Sequence, residues 1–290
     1  MIITLRSDRI EAEINTMGGA IESIRNIADN EEHYWQYDDK VWPRRTSICF
    51  PICGKLPDGK YIHEGREYEM PMHGFLREKD MQVISCADSV LVLGFESDDS
   101  TRKIYPFDFY FELTTRAVGY TLEVTYTIRN TGGTDMFYST GSHYTYKLPA
   151  NERDCFYYFS KPQNAGRFLP ENGIFVAKSH DIFHGTGRLS MDGLFEPPSV
   201  IMDLSEVDSE YIGIGTDNHV FTKVKEKGFP YVVLWAKTQE DCPFACIEYW
   251  AGMAEFIGND GEISHKKGIQ CLAPNREQSF RQIIDIEVKE

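Results

Sequence analysis

Apolar and polar residues alternate along much of this chain with a period of two, the signature of half-buried β-strands. Ile10 to Ile14 follows that rule, as do two stronger runs, Asp108 to Arg116 and Tyr120 to Arg129, joined at Val118-Gly119. Tyr61 to Met70 reads as a hairpin that turns near Glu64-Gly65. The turn Asn130-Thr131-Gly132-Gly133 leads into Met136-Phe137-Tyr138-Ser139, and further strands are expected at Tyr211–Ile214, His219–Val224 and Tyr231–Lys237. Helical periodicity is nearly absent, with short helices expected only near Gly193–Phe195 and Ala251–Ile257. No flexible linker, low-complexity block or repeat divides the chain. The pattern therefore predicts one all-β domain over residues 1–290, a sandwich of large antiparallel sheets. The stretch Asn151 to Asp203 reads as irregular and turn-rich, the kind of long loop that shapes a cleft.

Composition narrows the function classes. With 30 basic and 45 acidic residues the formal net charge is -15, and no basic stripe stands out, which argues against nucleic-acid binding. No stretch approaches the ~20 apolar residues of a membrane span, and the N-terminus lacks a secretory pattern. Seven cysteines, mostly among apolar neighbours, read as reduced core thiols, and a cytoplasmic setting is expected.

One charged residue conflicts with its surroundings. Glu248 lies inside Phe244-Ala245-Cys246-Ile247-Glu248-Tyr249-Trp250, an apolar and aromatic run that reads as a buried strand. A carboxylate taken out of water there costs several kcal/mol unless compensated, roughly the scale of buried-charge penalties, so it is either a paired ion or a base of tuned proton affinity. Three other segments carry candidate chemistry. His143 follows the small residues Gly141-Ser142 and precedes aromatics; His73 stands before Gly74 in a turn; Lys55 emerges after the apolar run ending at Gly54. A hydrogen-bonded core histidine and a solvated lysine are the commoner readings of any one of them. Most tryptophans serve packing. Among the four here Trp250 is the best sugar platform, because it lies two residues from Glu248 on the same strand face.

In order along the chain, Trp42-Pro43-Arg44-Arg45, Phe50-Pro51-Ile52-Cys53-Gly54-Lys55, His73-Gly74-Phe75-Leu76-Arg77, Tyr105-Pro106-Phe107, Gly141-Ser142-His143 and Pro243 to Trp250 resemble the aldose 1-epimerases, or galactose mutarotases, and their LacX-like bacterial branch. The resemblance implies a β-supersandwich that interconverts the α and β anomers of a free hexose without cofactor or metal. It places the catalytic pair on Glu248 and His143 and a sugar-holding histidine on His73. Lys55, Arg77 and Trp250 are expected to contact substrate. Three positions depart from the family pattern: Tyr144 stands where proline is common, Tyr249 intervenes between Glu248 and Trp250, and Lys55 replaces an arginine whose planar fork suits hydroxyls better. A non-catalytic sugar-binding protein and a hexose-phosphate mutarotase are the alternatives.

Other readings fail on geometry or chemistry. Cys49, Cys53, Cys242 and Cys246 suggest a zinc site, but four residues along a strand span ~13 Å, too far for thiolates sharing one ion at ~2.3 Å each. Glycoside hydrolysis needs two carboxylates about 5–9.5 Å apart, and nothing nominates Glu255 as a partner for Glu248. The mutarotase reading expects His143 and Glu248 on opposite walls of one pocket, ~5–7 Å apart with room for a pyranose between hydrogen-bonding groups.

Overall fold

The computed structural model describes residues 1–42, 48–148, 155–171, 174–191, 199–217, 219–236 and 243–286. Two large antiparallel sheets dominate. One has nine strands in the order Arg188–Ser190, Phe156–Phe159, Ile212–Gly215, Val220–Lys227, Glu277–Asp285, Thr121–Asn130, Phe109–Val118, Val90–Glu96 and Gln82–Ala87. The other runs Ile174–Lys178, Phe168–Glu171, Ser199–Asp203, Tyr231–Trp235, Phe244–Ala251, Thr140–Ser142 and Ile48–Cys49, with Thr145–Lys147 also paired to Phe244–Ala251. A three-stranded sheet from residues 2–26 and two small ribbons complete the strands. This is the sandwich of large antiparallel sheets expected from the alternation, and the β-supersandwich that the resemblance implies.

The period-two pattern sets the layers. Phe109, Phe111, Leu113 and Ala117 point inward from one strand, and Leu122, Val124, Tyr126 and Ile128 from its partner. They meet Ile247 and Tyr249 from the second sheet in one buried cluster. Strand Phe244–Ala251 is buried on both sides, because its opposite face supports a second cluster with Val233, Ile201, Tyr231, Trp250 and Met253. The site lies on that second face.

The hairpin at Glu64-Gly65 forms as expected, both residues adopting positive φ. Two expectations fail. Ala251–Ile257 is not helical: Gly252 sits at φ +126, and the amides of Phe175 and Ile257 bond across to Glu255 O and Phe175 O instead of along a helix. The stretch from 151 to 203 is less irregular than its turn residues imply, since five short strands there extend the edges of both sheets. The helix expected at Gly193–Phe195 lies outside the described residues.

Candidate active site

Two strands create the central pair by register alone. Thr140 lies opposite Ala251, Gly141 opposite Trp250, and Thr145 opposite Cys246. Carried through the unpaired residues between, that register sets His143 directly across from Glu248, and residues opposite one another share a sheet face. Gly141 permits the approach, since a Cβ there would lie 2.6 Å from both Trp250 Cδ1 and Tyr249 O. The neighbours turn the other way. Ser142 Oγ bonds with Gln282 and accepts from the Tyr249 amide, while Tyr144 and Tyr249 reach Tyr126 and Val224 O on the core side. Two of the three departures from the family pattern therefore point away from the pocket.

His143 Nδ1 lies 3.5 Å from Glu248 Oε1. That is closer than the expected separation, and no pyranose fits between the nearest atoms of the pair. Direct opposition on one sheet face explains the difference, because both side chains project to the same side and not from facing walls. Glu248 is 1% exposed, and its Oε2 has no hydrogen-bond partner among the described residues. Burial pushes its carboxyl well above the ordinary 4.5, the neighbouring Cys49 adds to the effect, and the Trp250 indole offsets only part of it. The His143 side chain is 17% exposed and opens the pair to solvent.

His73 stands beside them, its ring 5.4 Å from that of His143 and 5.7 Å from that of Trp250. Its backbone holds φ 64, a left-handed conformation rare outside glycine and concentrated at functional sites. The Gly54 amide donates to His73 Nδ1 at 3.2 Å, and Cys49 Sγ lies 3.1 Å from the same nitrogen. With Nδ1 accepting from a backbone N–H, a neutral His73 carries its proton on Nε2 and is a donor there. The following residue locks the turn. Gly74 has φ +73, and a Cβ on it would fall 2.1 Å from Phe50 O. We expect Gly74→Ala to cost ~2–3 kcal/mol, read as a lower urea midpoint at unchanged slope.

Trp250 occupies the expected face, but it is 4% exposed and its indole N–H donates to Ser142 O at 3.0 Å. The more accessible aromatic wall comes from elsewhere. Trp42 stacks on His143 at 5.2 Å and meets Trp235 at 5.2 Å and Phe244 at 5.3 Å; Trp235 contacts His143 edge-on. Arg77, on the short turn Leu76–Glu78, acts electrostatically on Cys49, with its Nε 3.6 Å from Glu78. Lys55 is exposed beside Gly54, and nothing described ties it to the pair. Arg44 and Arg45 lie outside the described residues.

Three contacts between segments escape sequence reasoning. Trp42 reaches His143 across a long chain separation. Cys49 and Cys53 interact because the strand ends at Cys49 and the chain bends, so the extended-strand distance does not apply to them; Cys242 lies outside the described residues. Lys266 is 3% exposed beside the exposed Lys267, and its Nζ lies 3.6 Å from Glu255 Oε2. Glu255 also accepts from the Phe256 amide and from Asn259. Glu255 therefore has a buried cation and two hydrogen-bond donors of its own.

Comparison with known proteins agrees with this architecture. The sequence profile of aldose 1-epimerase matches residues 1–156. The plasmid-encoded LacX protein of Lactococcus lactis subsp. lactis is 23% identical over 291 residues, covering 94% of this chain and 95% of that one. A galactose mutarotase related enzyme from Lactobacillus acidophilus superposes with a TM-score of 0.92 at 23% identity, covering 99% of this chain and 98% of its own. A galactose mutarotase-like protein from Lactobacillus casei gives 0.91 at 23% identity, covering 99% and 100%. A galactose 1-epimerase from Lactobacillus acidophilus gives 0.72 at 13% identity, covering 99% and 94%. At these identities the structural likenesses establish the fold, and the family rests on the profile match across more than half of the sequence: the chain belongs to the aldose 1-epimerase family.

Proposed function

We propose that the protein is a hexose mutarotase whose acid–base pair is Glu248 and His143. The observation that carries this reading is a buried carboxyl with one oxygen that has no hydrogen-bond partner among the described residues, 3.5 Å from a histidine that opens to solvent. A purely structural ion pair would satisfy both carboxylate oxygens, because each one left unpaired in the interior costs stability.

In this mechanism Glu248 takes the proton of the anomeric hydroxyl while imidazolium His143 protonates the ring oxygen. The bond from C1 to the ring oxygen breaks and an open-chain aldehyde forms. Rotation about C1–C2 presents the other carbonyl face, and the two groups exchange roles as the ring closes. Each positioned acid or base is typically worth ~10²–10⁴-fold. The reactive arrangement has Glu248 ionised and His143 protonated. His73 Nε2–H supports the ring-oxygen region. Trp42 and Trp235 pack a sugar face, with Trp250 behind them, and Lys55 and Arg77 contact hydroxyls or a phosphate. The whole chain, 1–290, acts as one domain.

Saturation-transfer NMR or polarimetry on freshly dissolved glucose, galactose and their 6-phosphates tests the proposal. Acceleration of any of these sugars supports catalysis; binding without acceleration makes the protein a sugar-binding module; acceleration confined to the phosphates selects the hexose-phosphate alternative. The raised Glu248 carboxyl also sets a direction with pH. The base form is lost as pH falls through the folded-state value, which lies above 4.5. The acidic limb of kcat/KM should therefore sit above the ordinary carboxylate range. A limb at or below 4.5 would contradict the assignment.

A further inference from the structure

We infer that the same pocket binds one Zn²⁺ ion through His143, Cys246 and Glu248, and that this ion blocks mutarotation. Their ligand atoms all lie within 4.8 Å of one another. His143 Nδ1 stands 3.5 Å from Glu248 Oε1 and 3.8 Å from Cys246 Sγ. Zinc bonds of ~2.0–2.3 Å in a tetrahedron put neighbouring ligand atoms about 3.3–3.6 Å apart. Two of the three edges are near that size already, and the third, between Cys246 Sγ and Glu248, is within 4.8 Å. The fold explains why the set is preformed. Cys246 and Glu248 are two residues apart on one strand face, and His143 is across from Glu248 in register.

The chemistry of the donors selects the ion. One thiolate, one imidazole and one carboxylate form a borderline set that suits Zn²⁺ and excludes Mg²⁺ and Ca²⁺, which require oxygen ligands. The thiolate and carboxylate neutralise the dication, so the ion enters a buried site with no net charge. Binding displaces the thiol proton, so affinity rises with pH. The Thr145 hydroxyl, 3.3 Å from Cys246 Sγ, supplies an outer hydrogen bond that steadies the thiolate. Three protein ligands leave a fourth position open, and the exposed edge of His143 provides entry. An ion held there removes both the base and the acid. The family resemblance implies turnover without a metal, so the ion is an inhibitor and not a cofactor.

The inhibition half rests on the mutarotase reading; the binding half does not. The test titrates the full-length metal-free protein with Zn²⁺ against a chromophoric chelator, and with Co²⁺ by absorption spectroscopy. The expected result is one tight Zn²⁺ and, with Co²⁺, a near-ultraviolet thiolate-to-cobalt charge-transfer band. Cys246→Ser should abolish the band and weaken Zn²⁺ by about 100-fold or more, since losing a ligand costs at least as much as losing an outer-shell partner. His143→Gln, at a partly exposed position, should weaken Zn²⁺ while keeping the band. Circular dichroism of each variant guards against misfolding. No band, or a band and affinity unchanged in Cys246→Ser, would overturn the site. Zn²⁺ should also suppress mutarotation where Mg²⁺ does not; bound Zn²⁺ with undiminished turnover would overturn the inhibition. If no sugar is turned over at all, the cobalt and chelator measurements still decide whether the site exists.

Discussion

Glu248→Gln is expected to lower mutarotation by ~10²–10⁴-fold, the range for losing one positioned acid–base group. The amide keeps the size of the carboxyl but cannot take a proton. The same substitution should stabilise the protein at neutral pH. Burial raises the proton affinity of Glu248 in the fold, whereas the unfolded chain ionises near 4.5. Between the unfolded and the folded values the native state binds one more proton than the denatured state, so wild-type stability falls as pH rises, by about 1.4 kcal/mol per pH unit for this group. Glutamine removes that dependence. The difference between variant and wild type should be absent below pH 4.5 and widen above it, measured as urea midpoints across pH. An inactive, more stable variant identifies a residue kept at a cost to the fold. A fully active variant would remove Glu248 as the base, and a variant destabilised at neutral pH would show that the carboxyl is structural.

Lys266→Ala is expected to cost ~3–5 kcal/mol, as does breaking a buried ion pair from one side. Among the described residues Lys266 Nζ has no hydrogen bond within the usual distance and relies on Glu255 at 3.6 Å. Burial draws its ammonium below the ordinary lysine value, and Glu255 and Cys53 oppose that shift. Without Lys266 the Glu255 carboxylate keeps the Phe256 amide and Asn259 but loses its only nearby cation among the described residues. Lys266→Met with Glu255→Gln should recover part of the loss by removing both charges together. A single substitution costing under about 1 kcal/mol would place the pair in the weak class of exposed bridges. The neighbouring Lys267 serves as the control, because it is exposed and its contacts are with the faces of Phe168 and Phe256.

Much of this was legible before any coordinates. Alternation located the long strands, because a residue facing the core must be apolar whatever its partner is. Glu248 stood out because a charge in an apolar strand breaks that rule, and His73 because it precedes a glycine. The alternation also implied that Glu248 and Trp250 share a face. What was not legible depends on contacts between distant segments. Nothing local distinguishes Lys266 from Lys267, yet one is buried and the other exposed. Trp42 reads as core but stacks on His143. The separation of His143 and Glu248 was overestimated because register between two strands is a property of the pair and is written in neither sequence alone. The edge strands between 156 and 203 were hidden because their turns dominate the local composition, and sheet edges need little apolar alternation to be recruited.

Strand Phe244–Ala251 is lined by the core on one side and by the reactive groups on the other, and this limits how the gene can change. Adding or deleting a single codon within it would exchange the two sides, turning Ile247 or Tyr249 toward the site and the carboxyl into the hydrocarbon interior. Insertions or deletions of an odd number of codons are therefore barred here, and change on the reactive side must proceed by substitution at every second residue.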